Sequence, residues 1–218
     1  IQKDAFLSQV SHELRTPMSS LRAFSEILRD TGELAPDQLR RYASIIHDES
    51  LRLTRLLDDL LDLSVLENGQ VALHVEDGNL SGLLDRAVSA TSSMQAGRDV
   101  TIQREPSAEN VALRTDCDRL SQVFINLIAN ARKYCDAETP QLRISVATTR
   151  DRIQIDLVDN GTGIPEKQQS IIFEKFARLS DQAAAGSAGL GLAISREIMR
   201  NLGGSIAYLP GRGGAAFR

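Results

Sequence analysis

Leucines recur at Leu7, Leu14, Leu21 and Leu28, one every seven residues, and Val10, Pro17 and Phe24 fill the alternate position of the same heptad. Side chains so spaced form one stripe down a helix, the pattern of a helix that pairs with others. Pro17 is expected to kink it, because proline lacks a backbone donor and crowds the preceding turn. The stripe stops at Asp30 to Pro36, which reads as a helix–helix connection with proline opening the next helix. A second stripe then runs through Leu39, Tyr42, Ile46, Glu49, Leu53, Leu56, Leu60 and Leu63, widened by Ile45, Leu57 and Leu61. A lone hairpin of two such helices would leave the widened stripe wet. The pattern therefore predicts a homodimer in which two antiparallel hairpins form a four-helix bundle. The competing reading is a hairpin packed against the rest of its own chain.

The heptad also locates a histidine. With Leu7 at position a, His12 falls at f, facing away from the seam. A core histidine would occupy a or d, so His12 is expected on the outside of the bundle. His47 also lies off its seam but has no motif around it, and no role is assigned to it.

Composition narrows the function. The formal net charge is −4, against the basic footprint of a nucleic-acid binder. No apolar run is long enough to span a membrane, and no signal peptide opens the chain. Cys117 and Cys135 lack metal-ligand spacing and suggest no disulfide framework. The expectation is a cytoplasmic segment. It opens at Ile1 inside a helical pattern and stops at Arg218 inside a strand-like one, so it reads as a piece of something longer. Any membrane part would lie outside it.

After Glu67-Asn68-Gly69 the period changes, with Gly69 suited to the left-handed position past a helix end. The reading is two domains, 1–67 and 68–218. In the second, Val71–Val75 reads as a strand and Asn79 as the cap of a helix to about Ala90. Val100–Ile102 and Val111–Leu113 read as strands, and Ser121–Tyr134 as a helix. Leu142–Val146 and Ile153–Val158 read as a hairpin, and Leu190–Leu202 as a last helix stopped by Gly203-Gly204 before a final strand pair. Mixed elements of this kind predict an α/β sheet with helices on one face.

Three stretches carry chemistry. On the helix to Tyr134, Asn126, Asn130 and Lys133 are spaced i, i+4, i+7 and share a face other than the apolar one. Two amides above a lysine offer oxygen to a hard cation such as Mg²⁺ and positive charge to phosphate; a solvated polar face is the bland alternative. Asp159-Asn160-Gly161-Thr162-Gly163 follows a strand, where a carboxylate can accept from an exocyclic amine and the glycines permit close approach. Gly186 to Ala193 feeds a helix N-terminus suited to phosphate. Between them lie Phe173-Glu174-Lys175-Phe176 and a small-residue run, Asp181–Ala188, that reads as a lid.

Taken together and in order, these motifs resemble the sensor histidine kinases of two-component signalling. His12-Glu13-x-Arg15-Thr16-Pro17 resembles their H-box. The Asn126–Tyr134 helix is similar to the N-box, Asp159-x-Gly161-x-Gly163 to the G1 box, Phe173-x-x-Phe176 to the F-box, and Gly189-Leu190-Gly191 to the G2 box. Gly211–Phe217 resembles the last glycine turn and strand. The resemblance implies an α plus α/β chain: a phosphoacceptor hairpin followed by a Bergerat-type α/β sandwich that binds ATP under the lid. It implies that His12 accepts phosphate, that Glu13 takes the proton from its other ring nitrogen, and that Thr16 orients a water for phosphatase action on a response regulator. It implies that Asn130 holds Mg²⁺ with Asn126 beside it, Lys133 meets the phosphates, Tyr134 the adenine, and Asp159 the adenine amine. Arg22, Ser25 and Glu26 become candidate contacts for the regulator. Two departures stand out: Ser187 where glycine is common, and Cys135-Asp136 where Thr or Ser usually follows the tyrosine. Cys135 would then lie near the nucleotide, open to thiol modification. The alternatives are an ATPase of the gyrase, chaperone or mismatch-repair type, a non-catalytic dimeric scaffold, and a phosphatase-dominant member.

Overall fold

The computed structural model describes residues 2–69, 71–94, 97–178 and 188–218. Residues 181–187 of the expected lid, Ser187 among them, and Gln70 of the junction lie outside the described residues.

Two long helices, α1 (Gln2–Asp30) and α2 (Pro36–Glu67), form the expected antiparallel hairpin. Pro36 sits in the first turn of α2, and Gln38 reaches back to the Ala35 N–H at 3.3 Å, closing one of the donors a helix start leaves open. Near the turn, the rings of Phe24 and Tyr42 meet at 5.5 Å. The helical assignment of α1 runs unbroken through Pro17, which is buried. Gly69 takes φ +62°, as expected after the helix end.

The seam behaves as two halves. Leu56, Leu63 and Leu66 are buried against the second half of the chain. Leu7 is 54% exposed, Leu61 66%, and Leu39 and Leu57 are exposed as well. Part of the wide stripe therefore packs on the chain's own α/β body, and part stays apolar and uncovered.

That body contains β1 (Val75–Asn79), α3 (Leu80–Ser92), β2 (Thr101–Gln103), α4 (Pro106–Glu109), β3 (Ala112–Asp116), α5 (Cys117–Tyr134), β4 (Gln141–Thr148), β5 (Ile153–Asp159), α6 (Glu166–Gln169), α7 (Gly191–Asn201) and β6 (Ala216–Phe217). β1 pairs antiparallel with β3; β2, β4, β5 and β6 form a second sheet in that order, with β2–β4 parallel and the rest antiparallel. Along β4, Leu142 and Ile144 are buried while Gln141, Arg143 and Ser145 face out, the alternation of a sheet covered on one side. The core is Leu80, Leu83 and Leu84 of α3, Val123, Phe124 and Ile128 of α5, and Ile194 and Ile198 of α7. Asn79 caps α3, its side chain accepting from the Ser81 N–H at 3.0 Å.

The first strand starts later than expected, at Val75 rather than Val71. Its ladder runs Val75↔Asp116 to Asn79↔Ala112, and the Asp116 carboxylate takes the His74 N–H at 2.9 Å, ending the ladder there. α5 likewise starts early, at Cys117, because Asp116 caps it by accepting from Arg119 N at 3.1 Å.

Polar pairs lock the hairpin to the body. Arg119 donates to Asp62 at 2.6 Å, Gln122 donates to the same carboxylate at 2.9 Å, and the Asn201 amide reaches the Leu66 carbonyl at 3.3 Å.

Candidate functional site

His12 lies where the heptad placed it, with its side chain 78% exposed. Glu13, the next residue, points inward and is 16% exposed. Its Oε1 is 3.9 Å from His12 Nδ1, near but outside hydrogen-bond range. Its Oε2 accepts from Arg178 Nη2, an arginine just past the Phe173–Phe176 stretch. Thr16, one turn on, donates its hydroxyl to the His12 carbonyl at 3.4 Å.

Around this contact the hairpin and the body interlock further. Phe176 is buried with φ +63°, a region costly for a bulky residue, and its ring lies 5.8 Å from Phe6 of α1. Lys175 Nζ sits 4.5 Å over the Phe6 ring and 2.6 Å from Glu67. Phe176 thus meets the hairpin. A cavity of about 310 Å³ lies between Phe6, Gln9, Leu63, Glu174, Lys175 and Arg196.

The second cluster is inside the body. Asp159 closes β5, 8% exposed. Its Oδ1 accepts from Gly161 N and Ala215 N, both at 2.9 Å, and its Oδ2 has no hydrogen-bond partner among the described residues. Burial pushes this carboxyl up from the usual range, the two backbone donors oppose that, and Asp136 adds to it. A side chain at Gly214 would collide with the Asp159 carbonyl. Gly163 takes φ +78° beneath Tyr208, whose hydroxyl accepts from Ile164 N at 3.1 Å.

The glycine segment before α7 meets α5. Leu190 is buried at the helix N-cap and gives the helix no side-chain cap. Gly189 has φ +74°, and a Cβ there would meet the Ala177 carbonyl at 2.6 Å. A Cβ at Gly191 would lie 3.8 Å from the Asn126 amide, in ordinary contact with α5. Asn126 donates to the Gly191 carbonyl at 3.2 Å and to Ser195 Oγ at 3.1 Å. Its nitrogen therefore ties α5 to α7. Asn130, one turn further along α5, is half-buried. Lys133 Nζ lies 5.1 Å over the ring of Tyr134, which is 45% exposed.

These groups suit a phosphorylated nucleotide. A carboxylate oxygen without a partner among the described residues can accept from an amine, a helix start without a side-chain cap can take phosphate, and α5 offers the amides of Asn126 and Asn130. Among the described residues no group of His, Cys, Asp and Glu could hold a metal by itself. The donor set fits a cation that arrives with phosphates.

Cys135 is 3% exposed, and its thiol donates to Asn160 Oδ1 at 3.3 Å, so it is shielded from modification rather than presented. Sequence reasoning did not single out Arg178, Lys175, Ser195 or Ala215. Each acts on a residue distant in the chain, and no local spacing signals that.

A family model described as His Kinase A (phospho-acceptor) domain matches residues 2–69. One described as Histidine kinase-, DNA gyrase B-, and HSP90-like ATPase matches residues 115–218. Sensor protein kinase WalK of Staphylococcus saprophyticus is 33% identical over 213 residues, covering 94% of this chain and 34% of that protein; the chain thus spans about a third of the length of the curated relatives it matches. Among solved structures, the histidine kinase AdeS of Acinetobacter baumannii superposes with a TM-score of 0.72 at 25% identity, covering 94% of both chains. Full-length ShkA in complex with AMPPNP superposes with a TM-score of 0.66 at 25% identity, over 98% of this chain and 44% of that one. No helix among the described residues is long and apolar enough to cross a membrane. With the hairpin, the α/β body and their motifs in this order, the chain belongs to the sensor histidine kinases of two-component signalling.

Proposed function

We propose that residues 1–67 and 68–218 are the phosphoacceptor hairpin and ATP-binding domain of a cytoplasmic kinase core, which moves the γ-phosphoryl group of ATP to His12 and then to an aspartate of a response regulator. The observation that carries this is the pairing of an exposed imidazole beside a sheltered carboxylate on the hairpin with a buried Asp159 that keeps one oxygen for a base.

Each residue has a task in that reading. Asp159 accepts from the adenine amine, and Gly161 and Gly163 let the base approach. Tyr134 lies along the base, and Lys133 and the backbone from Gly189 through Leu190 to Gly191 meet the phosphates. Phe176 anchors the entry to the lid. Asn130 would hold Mg²⁺ with Asn126 beside it, and the ion would neutralise charge on the phosphates as they shift. The nucleotide-bound relative ShkA supports a nucleotide in this fold.

The imidazole attacks through its unprotonated nitrogen. A nitrogen–phosphorus bond forms, the bond from the γ-phosphorus to the bridging oxygen of ADP breaks, and the proton on the other ring nitrogen passes to Glu13. The attacking nitrogen has to be unprotonated, since only then does it carry the lone pair that forms the new bond. The exposed apolar stripe with Leu7, Leu39 and Leu61 supports a homodimer, and the helix face with exposed Arg22 and Ser25 beside half-buried Glu26 supports regulator docking. Thr16, on the same face as His12, supports a second, phosphatase activity toward the phosphorylated regulator.

The test is incubation with labelled ATP and Mg²⁺. Acid-labile, base-stable label is expected on the wild type and none on His12→Gln or Asn130→Asp. Equal label on His12→Gln would overturn the assignment.

A further inference from the structure

One motif departure is not absorbed by that scheme: Asp136, directly after the buried Cys135. Its Oδ1 accepts from the Thr162 N–H at 2.8 Å and its Oδ2 from the Thr162 hydroxyl at 2.8 Å. Both bonds hold its carboxyl below the ordinary range. They join the end of α5 to the loop after β5, 26 residues apart in sequence.

The turn that presents Asp136 is itself pinned. Arg98 donates to the carbonyls of Cys135, Ala137 and Glu138 at 3.1, 2.7 and 3.2 Å. From the other side, Asn160 accepts from Gln141 N at 2.8 Å and donates to the Thr139 carbonyl at 2.9 Å. Asp136 therefore stands on a frame rather than on a free loop.

What it touches matters for the base pocket. A Cβ at Gly161 would lie 2.7 Å from Asp136 Oδ1 and 3.3 Å from Asp159 Oδ1, so Gly161 is sandwiched between the two carboxylates. The Gly161 N–H is one of the two donors that occupy Asp159 Oδ1. Backed by Asp136, Gly161 keeps that oxygen occupied and leaves the other for the ligand.

We propose that Asp136 is a positioning residue of the nucleotide site: by gripping Thr162 through both its backbone N–H and its hydroxyl, it sets Gly161 and hence the orientation of Asp159. The proposal rests on reading Asp159 as the acceptor of the adenine amine. It assigns to Asp136 affinity for the nucleotide and leaves the phosphoryl-transfer step to other residues.

The experiment compares Kd for ADP, by calorimetry, and KM and kcat for ATP in His12 labelling by the full chain. Asp136→Ala is expected to raise Kd and KM about tenfold, the scale of one charge-assisted hydrogen bond, with kcat at saturating ATP within about twofold. Asp136→Asn keeps an acceptor for the Thr162 N–H and is expected to restore most of the affinity. Thr162→Val, which loses only the hydroxyl, should raise KM, and Thr162→Ser should leave it unchanged. Wild-type affinity in Asp136→Ala, or a fall in kcat with KM unmoved, overturns the proposal. If Asp136→Ala does not fold, an unchanged KM in Thr162→Val overturns it instead. A wild type that binds no ADP overturns the site reading and the positioning role with it, whereas tight wild-type binding with an indifferent Asp136→Ala overturns the positioning role alone.

Discussion

Arg178 donates to the carboxylate of Glu13 across 165 residues of chain, and the other oxygen of that carboxylate faces His12. The residue proposed to take the proton from the imidazole is therefore held by the domain proposed to bring the phosphate. Arg178 Nε stays buried and unbonded among the described residues, so the pair is incompletely satisfied on the arginine side. Glu13→Gln should lower autophosphorylation by about 10²–10⁴-fold, the range for losing a proton acceptor. Arg178→Glu should detach the body from the hairpin, read as a larger radius of gyration in solution scattering. The swapped pair Glu13→Arg with Arg178→Glu should restore compactness without restoring label. A compact Arg178→Glu chain would count against the ion pair as a tether.

Nucleotide affinity should fall in acid. Burial raises the Asp159 carboxyl above its ordinary range. The ionised form is the one that accepts from an amine, so protonation removes affinity as pH falls through that raised value, by about tenfold per unit below it. Above it affinity is flat. Calorimetry with ADP from pH 5 to 8 measures this, and Asp159→Asn should bind at least about tenfold more weakly with the acid limb gone. The same raised value means that the ionised carboxylate costs stability in the empty protein as pH rises, so Asp159→Asn should melt no lower than wild type at pH 7.5.

Asp59, on the hairpin beside the docked body, is pushed up to about 6 by burial, then by Asp62 and Asp58, with Arg55 opposing. Its folded value exceeds its ordinary one, so its protonated form favours folding at low pH. That contribution is lost as pH rises through about 6. Asp59→Asn should stabilise the chain at pH 7.5 by about 1–3 kcal/mol, or about 3–8 °C in melting temperature. The gap should shrink as pH falls from about 6 toward about 4. A constant gap across that range would show that the charge is not the cause.

Glu109 is fully buried, and Arg104 holds it through Nε at 3.1 and 3.0 Å and through Nη2 at 2.6 Å. Removing the arginine strands a carboxylate in the interior. Arg104→Met should cost about 3–5 kcal/mol, and Arg104→Met with Glu109→Leu should recover most of it. Urea unfolding of the single and double variants decides this: additive losses would mean that the pair is not the source.

Much of this architecture is readable from residue spacing, because spacing is what heptads, caps and turns are made of. Leu7 to Leu28 put His12 on the outer face, Asn79 announces α3, and Gly69 and Gly203 take the positive φ their places demand. Spacing says which residues share a face but not what that face meets. Asn126, Asn130 and Lys133 group on α5, yet the Asn126 amide goes to Gly191 and Ser195 of α7. Val71–His74 has the composition of a strand but, among the described residues, no ladder partner beyond the Asp116 end of the β1–β3 pairing. The buried Glu109 and the grip of Arg178 on Glu13 give no local sign, since each depends on a partner brought in by the fold.

Asp159 and its pocket carry a consequence for the order in which the protein is made. One donor to its carboxylate is the Ala215 N–H, its own N–H bonds the Ala215 carbonyl at 3.0 Å, and Gly214 packs against its backbone too closely for any side chain. Ala215 emerges from the ribosome 56 residues after it. A nascent chain halted short of Ala215 would hold every motif up to Gly191 and still lack the formed pocket at Asp159 that is proposed to take the base. Nucleotide can therefore support folding only once synthesis has passed that point.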